Sequence, residues 1–456
     1  MPPSTPPAPR DPFADSLPST PAAVSSALPP ASPAPGTRMR STALPPAAPY
    51  AAVAKPWTLT PNPRARISYF LTYALVAVGA ALGGVQAYFA YTTVRLDRQP
   101  LCLVFDEAFD AGDDAGVFGS ENGKGRWLRE VQMDGFGNGE FQMTTASSNN
   151  SFLQNGNLYL VPTLTPGWPF ADGTSYNSTD CTFNITAPNN GFNIPSTNGG
   201  APTFDYDGYY ATCSRTTNST AGTIVNPVQS ARLSTFISAG GDESTKSKGS
   251  LRYGRVEVRA KMPTGDWLWP AIWMLPVNNT YGPWPRSGEI DIVESRGNGI
   301  AYTNRGANYV QGSLNWGPSP ALNGVGHSYS WWTEKRTPFS AGFHTYALEW
   351  TDRWLRVYFP ATVRGADGQL AALQNPWANG TGATPFDQDF YLIMNIAVGS
   401  TNGWFPDGQG DKPWLDRAGN PPVDFIKGKS QWYPTWPQNV EDRAMVVDYV
   451  KMWKHC

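Results

Sequence analysis

Two hydrophobic patterns divide this chain. From Ile67 to Val94 no charged residue occurs. A run of this length can cross a bilayer as a helix, which needs about 20 apolar residues. Tyr69 and Phe70 at one end, and Tyr88, Phe89 and Tyr91 at the other, suit the two interfaces. Gly79, Gly83 and Gly84 would soften such a helix in water but are tolerated in a membrane. Further along, short runs rich in β-branched and aromatic residues are broken by Gly, Pro and Asn turns, with no long amphipathic helix. That pattern predicts many short strands closing into a single all-β sandwich, preceded by one transmembrane helix.

The predicted organisation has four parts. Residues 1–66, rich in Pro, Ala and Ser, carry too few large apolar side chains to offset ordering entropy and are expected to be a disordered tail. Residues 67–94 form the helix, 95–101 a tether, and 102–456 the β domain. The apolar segment begins far from the first residue and is longer than an ordinary signal-peptide core, so a signal anchor is expected rather than a cleaved leader. Lys55, Arg64 and Arg66 precede it, while Arg95, Asp97 and Arg98 follow. This basic excess favours a cytoplasmic tail. Six N-x-S/T sequons, at Asn149, Asn177, Asn184, Asn218, Asn278 and Asn379, all lie beyond the helix. Charge and sequons together predict a type II membrane protein whose β domain lies outside the cell or in the secretory lumen. Gly79–Gly83 is a small-xxx-small pattern that could pair two such helices.

Composition narrows the chemistry. A net charge of −2 gives no reason to expect a nucleic-acid partner. The three histidines, His327, His344 and His455, make no H-E-x-x-H pattern, and neither a G-x-S-x-G elbow nor a Walker sequence occurs. No cofactor or metal is required. Four cysteines allow three pairings in an exported domain. Cys181–Cys213, inside an Asn/Thr-rich insertion over about 170–225, is favoured, with Cys102–Cys456 tying the first strand to the chain end.

The densest chemistry lies in Gly288-Glu289-Ile290-Asp291-Ile292-Val293-Glu294-Ser295. In a regular strand Glu289, Asp291 and Val293 share a face, and Glu294 points away. One extra residue held as a β-bulge between Asp291 and Glu294 brings all three acids onto one face. Two glutamates bracketing an aspartate suit glycosidic-bond hydrolysis. The alternative is a solvated strand face or a cation site. Trp269, Trp273 and Trp284 nearby favour sugar, because sugar rings stack on indole faces. The run also lacks the loop spacing of a calcium hand.

These residues resemble glycoside hydrolase family 16, in particular its laminarinase-like and β-1,3-glucan-recognition members. Glu289–Glu294 looks like that family's active-site strand. Tyr253–Lys261, Trp269–Pro276, Gly137–Gln142, Phe343–Tyr346 with Glu349-Trp350, Phe390–Trp404 and Asp448–Val450 resemble its other strands, in the same order. The resemblance covers about residues 100–456 and points to a membrane-anchored, fungal-type member with a concanavalin-like jelly roll. It implies a retaining endo-β-glucanase, with Glu289 as nucleophile, Glu294 as general acid/base and Asp291 between them separating their ionisation. It implies substrate contacts from Trp269, Trp273 and Trp284, with Asn138 and Arg255 as candidates for sugar hydroxyls. Asn315 stands where many members carry histidine; it can hydrogen-bond a hydroxyl but cannot titrate near neutrality. The family often holds a structural calcium on the convex face, to which Asp448 could contribute. A transglycosylase using the same glutamates and a non-catalytic β-glucan-binding protein are the competing expectations.

Overall fold

The computed structural model describes residues 62–93, 99–110, 114–118, 125–186, 194–196, 200–218, 220–235, 249–358, 377 and 380–456. Most of the expected tail, the last residue of the expected helix (Val94), residues 95–98 of the tether and the Asn379 sequon lie outside them. The chain divides into two units, Met1–Arg95 and Leu96–Cys456.

In the first unit, the helix runs Pro63–Thr93 and begins four residues before the charge-free segment. The cause is local. Asn62 accepts from the N–H groups of Arg64 (3.0 Å) and Ala65 (3.3 Å), and proline is pre-organised for the first helical position. Arg64 and Arg66 therefore lie in the first turn, not in the tail. The helix is long and apolar enough to cross a membrane by length and composition.

The second unit is built on two large antiparallel sheets. One runs Leu355–Tyr358, His344–Trp350, Gly254–Lys261, Met445–His455, Asn157–Leu160 and Ser151–Gln154, with Leu101–Glu107 pairing on Met445–His455. Leu101 lies opposite His455, so the expected tether ends one residue sooner. The other sheet, which carries the acids, runs Tyr329–Thr333, Tyr309–Asn315, Glu289–Ser295, Leu268–Pro276, Phe390–Val398, Arg232–Ser234 and Leu128–Arg129, with Ser250–Leu251 on Phe390–Val398.

Alternation fixes how the sheets pack. Along Gly254–Lys261, Val256, Val258 and Ala260 are fully buried, while Arg255, Glu257, Arg259 and Lys261 face outward. The acid sheet buries Ile272, Met274, Ile290, Ile292, Leu392, Met394 and Ile396 in the same core. Each large aliphatic side chain so buried contributes about 1.5–3 kcal/mol. The sandwich is thus an apolar layer that presents one face of the acid sheet for chemistry.

Both disulfides form as expected. Cys102–Cys456 (Cα–Cα 5.3 Å) joins the first strand to the last, and Cys181–Cys213 (Cα–Cα 5.5 Å) closes the insertion. That insertion has more order than a loop. It holds the paired strands Ser175–Asn177 and Ser214–Thr216 and the helix Tyr206–Cys213, capped by Asp205. Its backbone bonds the segment leading to residues 135–140: Thr182 N–H to Val131 C=O (3.1 Å) and Met133 N–H to Thr212 C=O (3.0 Å). The sequon residues Asn149, Asn177, Asn184, Asn218 and Asn278 are all exposed.

Candidate active site

The acid strand carries the expected bulge. Against Tyr309–Asn315 it pairs Glu289 with Asn315 and Asp291 with Ser313, then slips by one residue so that Glu294 meets Gln311. The same slip appears against Leu268–Pro276, where Trp273 meets Asp291 and Ala271 meets Glu294. Ile290 and Ile292 stay in the core. The extra residue lets the strand bury its isoleucines and still turn three acids to one face.

Each acid faces a hydrogen-bond donor across the strand pair. Asn315 Nδ2 donates to Glu289 Oε1 (2.6 Å) and to Asp291 Oδ2 (2.9 Å). Ser313 Oγ donates to Asp291, and Gln311 Nε2 to Glu294 Oε2 (3.2 Å). From the other side Trp269 Nε1 donates to Glu294 Oε1 (3.0 Å), and the nearby Trp284 side chain favours the Glu289 carboxylate. Polar residues alternating at 311, 313 and 315 with Val310, Gly312 and Leu314 are a period-two signal that the sequence reading did not use. Asn315 bridges two carboxylates, with its own Oδ1 held by Asn323 Nδ2 (2.7 Å).

Arg232 and Arg296 bring positive charge, and sequence reasoning missed both. Arg232 lies opposite Asn395, which lies opposite Ala271, so it stands in the same row of the sheet as Glu294. Its Nε donates to Glu130 Oε2 (2.6 Å), and its guanidinium sits 4.8 Å from the Trp273 ring centroid and 4.2 Å from that of Phe136. Trp273 Nε1 donates to Asn395 Oδ1 (2.7 Å). Trp269 stacks on Trp404 (4.7 Å, 12°), and Trp404 on Trp331 (5.8 Å, 23°). Trp284, 42% exposed, is the most open of the three tryptophans named from sequence.

Asn138 and Arg255 fare differently. Asn138 lies in a turn whose Glu140 is buried and felt electrostatically by Arg232. Its side chain donates to Glu140 Oε1 (3.0 Å) and accepts from Asn402 (3.0 Å), so it braces the turn. Arg255 does not reach the acids. It faces outward on the opposite sheet, between Glu257 and Glu349, because the even-numbered residues of its strand point into the core. Asp448 offers little to a calcium ion: its carboxylate takes the guanidinium of Arg259. Among the described residues no cluster of three or more His, Cys, Asp or Glu could hold a metal.

Burial sets the ionisation of the site. It pushes Glu289 up to about 8, helped by the Glu294 charge and opposed by Arg232, Trp284 and Asn315. Burial likewise raises Glu294 to about 7, against hydrogen bonds from Trp269 and Gln311 and the charge of Arg296. Asp291 is held well above the ordinary carboxylate range by burial and by both glutamates. Three carboxyls this close in a dry site cannot all ionise at neutrality, so they share protons. Both glutamates are raised by the same burial, so ligand contacts can decide which of them carries the proton.

Several known proteins are similar to this chain. A family model described as "Glycosyl hydrolases family 16" matches residues 212–385, which include all three acids. A β-1,3-glucan-binding protein of Penaeus monodon is 38% identical over 368 residues, covering 77% of this chain and 90% of its own length. A glucan endo-1,3-β-glucosidase A1 of Niallia circulans is 41% identical over 165 residues, 35% of this chain and 22% of its own length. The laminarinase structure from Rhodothermus marinus aligns over 79% of this chain and 100% of its own, at 24% identity and a TM-score of 0.44. With the acid strand inside the matched region, and a relative of this identity covered almost end to end, the chain belongs to glycoside hydrolase family 16.

Proposed function

We propose that the β-sandwich unit is a retaining endo-β-glucanase acting on β-1,3- or mixed β-1,3/1,4-glucan. The observation that carries this reading is the bulged acid strand, with Glu289, Asp291 and Glu294 on one face and a hydrogen-bond donor opposite each. Retention needs two carboxyls about 5–5.5 Å apart, one ionised and one protonated. Glu289 attacks the anomeric carbon as its carboxylate. Glu294 gives its proton to the departing glycosidic oxygen, then takes one from the water that releases the sugar. Asp291 and Asn315 hold Glu289 in place, and Asp291 keeps the charges of the two glutamates apart. Trp284, Trp269 and Trp273 border the sugar at the cleaved bond.

A second reading is favoured by one specific observation. The relative of Penaeus monodon, matched over 90% of its own length, is named as a glucan-binding protein, not as a glucanase. Binding alone gives no reason to keep three acids in a buried, proton-sharing cluster, so catalysis is preferred. The helix, the basic residues in its first turn and the exposed sequons support a single-pass type II protein, with the sandwich on the outer face of the membrane near a polysaccharide wall.

The test uses residues 96–456 with a β-1,3-glucan oligosaccharide, following product mass and anomeric configuration. Shorter β-anomeric products, lost by at least a thousandfold in Glu289→Gln with binding intact, are the expected result. Products longer than the substrate would move the assignment to transglycosylation with the same glutamates. Binding without turnover on any β-glucan would sink the catalytic reading.

A further inference from the structure

Two buried arginines flank the acids, and their charges are balanced differently. Arg232 is ion-paired with Glu130 at 2.6 Å. Arg296, 4% exposed, has no carboxylate within ion-pair distance among the described residues. Its guanidinium is satisfied by backbone carbonyls instead. Nε and Nη2 donate to Trp404 C=O (3.1 and 2.6 Å), and Nη1 donates to the carbonyls of Asn304 (2.8 Å) and Arg305 (3.2 Å). Carbonyls fill its hydrogen bonds without cancelling its charge.

Its packing is equally specific. The guanidinium lies 4.2 Å from the Trp404 ring centroid and 5.1 Å from that of Trp331. Trp404 in turn stacks on Trp269, whose indole N–H reaches Glu294. One side chain thus ties the loop at 304–305 and the loop at 404 to an indole wall that ends on Glu294.

We propose that Arg296 is a positioning residue for Glu294: it fixes the three-indole wall beside that carboxyl and supplies the positive charge against which Glu294 releases and regains its proton. This deepens the glycosidase reading and rests on it. In the first step the Glu294 proton goes to the glycosidic oxygen as the C–O bond breaks and a Glu289 oxygen bonds to the anomeric carbon. In the second, water attacks that carbon, its proton passes to Glu294, and Glu289 departs as carboxylate. Glu294 is a carboxylate between the steps, and a nearby cation favours that form.

The other groups acting on Glu294 do not supply this charge. Glu289 and Asp291 on its own strand repel it, while Trp269 and Gln311 donate hydrogen bonds without charge. Arg305 lies over the far indole, 4.7 Å from the Trp331 centroid. Burial raises Glu294, Arg296 opposes that rise, and burial lowers Arg296 itself to about 10.

The test compares Arg296→Met and Arg296→Lys with the wild type in the full-length protein. It follows the pH dependence of kcat/KM on a β-1,3-glucan oligosaccharide, tryptophan emission, and the carboxyl titration of 13C-labelled glutamate. Arg296→Met should move the Glu294 titration and the alkaline limb upward by about one unit and lower kcat by about tenfold or more. Arg296→Lys should leave the limb in place but raise KM and red-shift the emission, because an ammonium lacks the planar fork. A folded Arg296→Met whose Glu294 titration does not move would overturn the charge role. Wild-type KM and emission in Arg296→Lys would overturn the wall role. If Arg296→Met does not fold, a full-unit shift of the limb in Arg296→Lys overturns the charge role. A wild type without turnover removes only the glycosidase reading, since the carboxyl titration still reports on Arg296.

Discussion

At the scale of single residues, the site is a set of carboxyls kept from ionising freely. Burial raises all three, and the donors opposite them decide where charge can rest. Asn315 is the clearest case. It donates to Glu289 and Asp291 together, so it favours their charged forms without titrating. Asn315→Ala should therefore raise the acidic limb of the pH–rate profile by about half a unit or more and lower kcat/KM by about tenfold, as expected for a lost charge-assisted hydrogen bond. A profile that falls in height without moving sideways would show that Asn315 only fills space.

At the scale of elements, which face a strand turns outward decides which residues share the site. The bulge puts Glu294 beside Glu289, while strict alternation along Gly254–Lys261 carries Arg255 away to the outer surface of the other sheet. Arg255→Ala should leave kcat/KM within about twofold of wild type and lower stability by about 1–3 kcal/mol, because it leaves the part-buried Glu257 and Glu349 without their shared partner; a tenfold fall in kcat/KM would place Arg255 back in the substrate path. The insertion is held by Cys181–Cys213, 32 residues apart in sequence. Replacing both by Ser should cost about 3.7 kcal/mol, the chain-entropy value for closing a loop of this length, read as a shift in the urea midpoint.

At the scale of the whole molecule, the acid cluster makes stability depend on pH. Glu289 is raised from 4.5 to about 8 in the folded chain. Its contribution is therefore complete below about pH 4.5 and is lost as pH rises through about 8. Glu289→Gln removes that loss. The variant should match the wild type near pH 4.5 and exceed it by about 2–4 kcal/mol at pH 9, measured by denaturant unfolding of residues 96–456. Equal stability at both pH values would mean that Glu289 titrates normally. A gain at pH 9 together with lost turnover is what a site that gives up stability for function should show.

The sequence by itself determined the features that depend on short-range order. The charge-free run set the long helix, period-two patterning set a sandwich, and Glu289–Glu294 could place three acids on one face only through a bulge. It misplaced the helix start because an Asn62 cap and Pro63 act from outside the apolar run. Tertiary structure alone decided what surrounds the acids. Arg232, Asn395, Arg296, Trp331 and Trp404 reach the site from strands and loops up to 172 positions apart in number, as for Arg232 and Trp404 (404 − 232). The reason is physical: a side chain's face is fixed by its neighbours in sequence, but its partners are fixed by strand pairing, which brings Gln311 opposite Glu294 and Asn395 opposite Arg232.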